Sequence, residues 1–157
     1  MMSNDKGREA MPLSARLIGT WELRSREDHA ADGTRRVDPG LGPDPVGLLV
    51  YDARGHFAAQ FMKRDRDGGA TPVVAKGPAL NNSRARDGYD AYFGAYTVDD
   101  ARGTVTQRLV GALSAENVGQ TLTRAMAVDG DELVIQLETT SMDGEPITRV
   151  LRWRRVA

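Results

Sequence analysis

Tyr96, Gln107 and Arg124 are the residues in this chain best placed to do chemistry. A phenol, an amide and a guanidinium all donate hydrogen bonds. Aimed at one carbonyl oxygen, they would stabilise the charge that develops there as a bound molecule cyclises or isomerises. A second set supplies walls and further hydrogen bonders: Gln60, Met62, Tyr92, Leu109, Gln120, Leu122 and Met126. Apolar walls with a few placed polar groups are the usual makeup of a small-molecule site. Chemistry of this kind runs on orientation and desolvation, so the expected reaction uses no cofactor and no metal.

Other chemistries lack their parts. No Gly-x-Ser-x-Gly elbow, phosphate loop, dinucleotide fingerprint or His-Glu-x-x-His occurs. Cysteine is absent, which excludes disulfides and thiolate metal sites. Of the two histidines, His29 is expected in a solvated charged loop and His56 at a hairpin end. The 21 basic and 22 acidic residues nearly cancel, so no basic face for nucleic acid is expected. No apolar run approaches the ~20 residues of a membrane-spanning helix. Residues 1–12 are expected to be a disordered leader and 13–157 a single domain. Met1 to Ala10 has no apolar stretch of the secretory kind, which leads to a cytoplasmic expectation.

The elements that must position these side chains read as β-strands. Alternation and turn signals place strands at 20–27, 46–51, 56–62, 91–98, 103–113, 118–128, 131–140 and 147–155. Asp129-Gly130-Asp131 is a short hairpin signal. A helical turn is expected at 13–18 and a short helix near 83–90, capped by Asn82 or Ser83. The segment 63–82 has no period and reads as a long loop, a mobile lid over a site. Eight antiparallel strands with almost no helix predict an all-β, up-and-down barrel, the size that just holds one small ligand. Strand parity then selects the lumen. It sends Trp21, Leu23 and Ser25 inward, with Tyr92, Gly94, Tyr96 and Val98. It also sends in Val105, Gln107, Leu109 and Leu113, and Gln120, Leu122, Arg124, Met126 and Val128. On 56–62 the set His56, Ala58, Gln60 and Met62 is preferred over Phe57, Ala59 and Phe61, because it brings Gln60 to the other polar candidates.

Ordered segments carry a resemblance. Leu17-Ile18-Gly19-Thr20-Trp21-Glu22-Leu23, Asp44-Pro45-Val46-Gly47, Ala59-Gln60-Phe61-Met62, Ala91-Tyr92-Phe93-Gly94-Ala95-Tyr96 and Gly103-Thr104-Val105-Thr106 resemble the bacterial and fungal lipocalin-like domain family. The match runs from about residue 15 to residue 155. It implies a calycin-type barrel with an internal cavity, opened by the Gly-x-Trp of the first strand. Arg152 or Arg154 of the last strand would then stack on Trp21. The resemblance implies less about activity: several family members accompany secondary-metabolite pathways. The chain departs from the pattern at Gln107-Arg108, where histidine is expected, and after Asn117, where a tryptophan is missing.

Three functions compete. The one ranked first is a cofactor-free enzyme of secondary metabolism, which folds an apolar polyketide- or terpenoid-like substrate in the barrel and promotes cyclisation or isomerisation. The alternative is a non-catalytic carrier of a hydrophobic metabolite. The third is a filled barrel with no ligand. The expected partner is thus a small apolar molecule, with no nucleic acid and no membrane; a homodimer is compatible. Cavity volume separates the cases, since ligand pockets run ~300–1,000 Å3 and a cavity below about 100 Å3 leaves a ligand no room.

Overall fold

The computed structural model describes residues 11–66 and 81–157. Among them are a helical turn, α1 (Leu13–Arg16), and nine strands. These are β1 (Gly19–Ala30), β2 (Arg35–Arg36), β3 (Val46–Tyr51), β4 (His56–Met62), β5 (Tyr89–Asp99), β6 (Thr104–Ala112), β7 (Thr121–Asp129), β8 (Glu132–Thr140) and β9 (Pro146–Arg155). From β3 to β9 each strand pairs antiparallel with the next, and β1 pairs with both β3 and β9. The result is the expected all-β, closed eight-stranded barrel. The ninth strand, β2, adds to β1 at Asp28 and His29. His29 therefore lies on a strand, 3.4 Å from Glu27, and not in a charged loop. None of the described helices is long and apolar enough to cross a membrane. The leader expected over residues 1–12 lies, but for Met11 and Pro12, outside the described residues, as does most of the lid expected over 63–82.

The helix expected near 83–90 does not form. Asp87 and Gly88 make a turn with positive φ, and Arg86 and Tyr89 bridge across it. Tyr89 and Asp90 already belong to β5 and pair with Met62 and Phe61. Their backbone groups are taken by the sheet, and a helix would lose those bonds.

Two irregularities reset the inward faces. In β1 the pairing with β9 slips between Leu23 and Ser25. Trp21 and Leu23 point into the core, but beyond the bulge the inward set becomes Arg26, Asp28 and Ala30, and Ser25 leaves the line. In β6 a second slip falls opposite Phe93 and Gly94. A Cβ on Gly94 would sit 1.8 Å from the Arg108 carbonyl oxygen, so only glycine lets the strands cross there. Leu113, expected inside, lies past the end of β6 and is exposed. On β4 the inward set is Phe57, Ala59 and Phe61. The preference for His56, Ala58, Gln60 and Met62 is corrected, because burying two phenylalanines outweighs placing one amide.

The base closes on Trp21. Its Nε1–H donates to the Leu17 carbonyl at 3.0 Å, which ties the plug after α1 to the first strand. The guanidinium that covers the indole belongs to Arg155, 4.2 Å from the ring centroid. Arg152 and Arg154, expected in that role, alternate outward; Arg152 pairs with Glu132 at 3.1 Å.

At the opposite end the wall has a seam. Strands β7 and β8 pair only from Ala125 and Gln136 toward their hairpin. Where β7 runs free, the Asn81 side chain takes the place of a neighbouring strand. Its Nδ2 donates to the Thr123 carbonyl at 2.9 Å, and its Oδ1 accepts from the Thr123 N–H at 2.9 Å.

Candidate functional site

Beneath that seam the barrel holds a cavity of about 40 Å3. One side is apolar: Leu41, Leu49, Ala59, Phe61, Ile135, Leu137, Leu151 and Trp153. The other is polar: Arg26, Ser83, Asp90, Tyr92, Gln107, Arg124 and Arg149, with Asn82 at the rim. This volume holds a few water molecules at ~10–15 Å3 each. It falls below the room a ligand needs, so at this volume no polyketide- or terpenoid-sized molecule fits.

Of the ten residues expected to form the site, three line the cavity: Tyr92, Gln107 and Arg124. Gln107 Nε2 donates to the Tyr51 hydroxyl at 2.6 Å, and that hydroxyl faces the Met126 sulfur at 3.8 Å. Leu109, Leu122 and Met126 are buried in the core beside the cavity, not on its wall. Tyr96 is half-buried and donates to the Asp52 carbonyl at 2.6 Å, which turns its hydroxyl away from the interior. Gln60 is on the outer face, accepting from the Tyr89 hydroxyl at 2.7 Å, and Met62 is half-buried on the same face. Gln120 precedes β7 in a turn, where its amide donates to the Glu116 carbonyl at 3.3 Å. His56 is exposed and pairs with Asp52 at 3.0 Å.

Burial sets the acid–base character of the site. It pushes the Tyr92 phenol up to about 12, and Tyr51 higher still. Both stay protonated near neutral pH and can donate. Burial also lowers Arg124, against the raising influence of Tyr92 and Tyr51.

The sequence reading missed the charges. Arg149 on β9 reaches Asp28 with two hydrogen bonds, 2.7 and 3.1 Å, and lies 3.6 Å from Asp38. Asp38 pairs with Arg26 at 2.9 Å. The four side chains are almost wholly buried. Arg26 and Asp28 escaped notice because the β1 bulge reverses parity. Arg149 was legible, since it stands in line with the apolar Ile147, Leu151 and Trp153.

Asp90 was also missed. Ser83 donates to its Oδ2 at 2.5 Å, while its Oδ1 is buried with no partner among the described residues. Burial pushes this carboxyl above the usual range, and the Ser83 bond and Arg26 and Arg149 offset only part of that. An acid whose folded pKa is raised contributes stability fully present below its unfolded value and lost as pH rises through the folded one. Asp90→Asn, which imitates the protonated acid, should therefore raise the melting temperature near neutral pH. The gain should vanish below about pH 4, where the unfolded carboxyl is also protonated. Thermal melts across that range check it; an equal shift at every pH would contradict the sign.

No curated protein matches the chain. A family model described as the lipocalin-like domain matches residues 18–156, which spans every barrel strand from Gly19 to Arg155. With the closed eight-stranded barrel and its internal cavity, that match places the chain in the lipocalin-like domain family.

Proposed function

We propose that the barrel binds a small molecule with an apolar body, its polar end toward Gln107, Tyr92 and Arg124. The observation that carries this is a convergence of unmet hydrogen-bonding capacity. Asp90 Oδ1, Arg149 Nη1 and Trp153 Nε1 are buried without a partner among the described residues, and all three residues line this half-apolar cavity. Buried polar groups normally find partners, so these three offer bonds to the polar end of a guest or to ordered water. The lipocalin-like family supports the same reading, since such barrels suit hydrophobic ligands.

The cavity is too small as it stands, so a guest must widen it. The seam between β7 and β8 is the natural portal, because Asn81 holds it by polar contacts: the two bonds to Thr123 and one from Arg124 to its carbonyl. Such bonds contribute about 1 kcal/mol each, net, and water can replace them. The test is titration with a neutral apolar fluorophore, N-phenyl-1-naphthylamine, on the natural chain and on Asn81→Ala. Saturable emission with one site is expected, with faster uptake in the variant. Absence of saturable emission and of any thermal shift in both proteins would return the chain to the filled barrel.

A second reading, catalysis, has one observation in its favour. Asp90 offers a free carboxylate oxygen to a cavity that also holds the donors Gln107, Tyr92 and Arg124. A carboxyl raised toward working pH is suited to moving a proton next to a carbonyl, and the donors would hold the resulting oxyanion. Cyclisation or isomerisation of a carbonyl-bearing metabolite fits this layout. The check is solvent deuterium uptake beside the carbonyl of a bound apolar ketone such as 2-tetralone. Acceleration lost in Asp90→Asn, with binding retained, would favour the enzyme over the carrier.

A further inference from the structure

We propose that the guest is an anion, a carboxylate or other singly charged oxyanion on an apolar body, seated against Arg124. This rests on the ligand-binding reading above and specifies its charge. Arg124 is 4% exposed. Its guanidinium donates to two neutral acceptors, the carbonyls of Asn81 and of Thr123, and lies beside the phenols of Tyr92 and Tyr51. No carboxylate among the described residues contacts it.

Four other interior charges are matched among themselves. Asp28 and Asp38 face Arg149 and Arg26, two acids to two bases. Asp90 is held by Ser83, and Arg26 and Arg149 are the bases acting on it most strongly. Arg124, at the cavity wall, is an interior base that no carboxylate among the described residues contacts. A buried charge without an opposite partner is costly, and chains normally remove it or pair it. It persists at little cost where the guest brings the partner.

The seam geometry shows how the exchange would run. The Asn81 carbonyl that Arg124 holds belongs to the residue sealing the seam. Lifting Asn81 opens the portal and frees the guanidinium in one step. An entering oxyanion then replaces a neutral acceptor with a charged one, for which the planar fork of arginine is suited.

The test compares chain-matched probes: decanoate, 1-decanol and decyltrimethylammonium, each displacing N-phenyl-1-naphthylamine. On the natural chain decanoate should bind on the order of tenfold or more tighter than decanol, the size expected of a charge-assisted bond, and the cation weakest. Arg124→Gln, which keeps a donor for the Asn81 carbonyl, should bring decanoate and decanol level. Arg124→Lys should keep the preference. Equal binding of decanoate and decanol by the natural chain, or a preference that survives in Arg124→Gln, overturns the anion assignment while leaving a neutral-ligand site intact. If the fluorophore itself never binds, the ligand-binding reading fails first. The comparison on the natural chain needs no variant to fold.

Discussion

Arg149→Leu should cost about 3–5 kcal/mol of folding stability, the largest loss expected of any charge in this barrel. The side chain is 5% exposed and holds Asp28 through two hydrogen bonds. Removing it leaves Asp28 buried with no base in contact among the described residues, and Asp38 with Arg26 as its ion pair. For a domain of this size, the loss corresponds to a fall in melting temperature of roughly 6–20 °C. Asp28→Leu combined with Arg149→Met should recover much of it, because a well-packed apolar pair avoids the desolvation that the ion pair must offset. The pH dependence has a definite sign. Burial pushes the Asp38 carboxyl up, but Arg26 and Arg149 outweigh it and hold it below the usual range. A depressed carboxyl contributes stability present above its unfolded value and lost as pH falls through the folded one. The gap between natural chain and variant should therefore narrow below about pH 4. Urea unfolding at several pH values measures it, and a loss under ~1 kcal/mol near neutral pH would mean the cluster is structurally idle.

That cluster marks where the sequence stopped being legible. The barrel itself could be read, because alternation and turn residues set eight strands and closure follows. Two strand ranges, 46–51 and 56–62, coincide with β3 and β4 to the residue. Inward faces on β5 and β7 also followed from parity, which is why Tyr92 and Arg124 were found. Parity failed where a bulge intervenes, as at Leu23, and no local signal announces a bulge. It failed on β4 for a different reason: both faces carry apolar residues, so alternation leaves the register open and only the larger buried area of Phe57 and Phe61 decides it. Asp90 and Ser83 had no signal at all. They reach the cavity only because β5 begins two residues earlier than the alternation suggested and the segment before it crosses the seam.

Trp21→Ala should cost a further-reaching ~3–5 kcal/mol, the range for emptying a buried aromatic site. Trp21 is fully buried, and it joins the Leu17 plug, the first strand and the last. Its glycine partner has a physical reason. Gly19 sits at φ +148°, and a Cβ there would lie 2.5 Å from Arg155 Nη1 and 2.8 Å from the Ala157 carbonyl oxygen. The bare backbone lets Arg155 pass over the strand to the indole and donate at 2.6 Å to the carbonyls of Ile18 and Arg16. The Gly-x-Trp spacing is thus half of a lock whose other half is the arginine that ends the last strand of the barrel. A double-mutant cycle with Arg155→Ala should give a coupling of about 0.5–2 kcal/mol, the range for a guanidinium over an indole. Additive losses in urea unfolding would mean that the two residues act independently and that closure rests on strand pairing alone. Because this lock lies at the end away from the seam, Trp21→Phe, which keeps a ring in place, should lower stability while leaving fluorophore affinity unchanged. A parallel loss of affinity would mean that base and cavity are mechanically coupled.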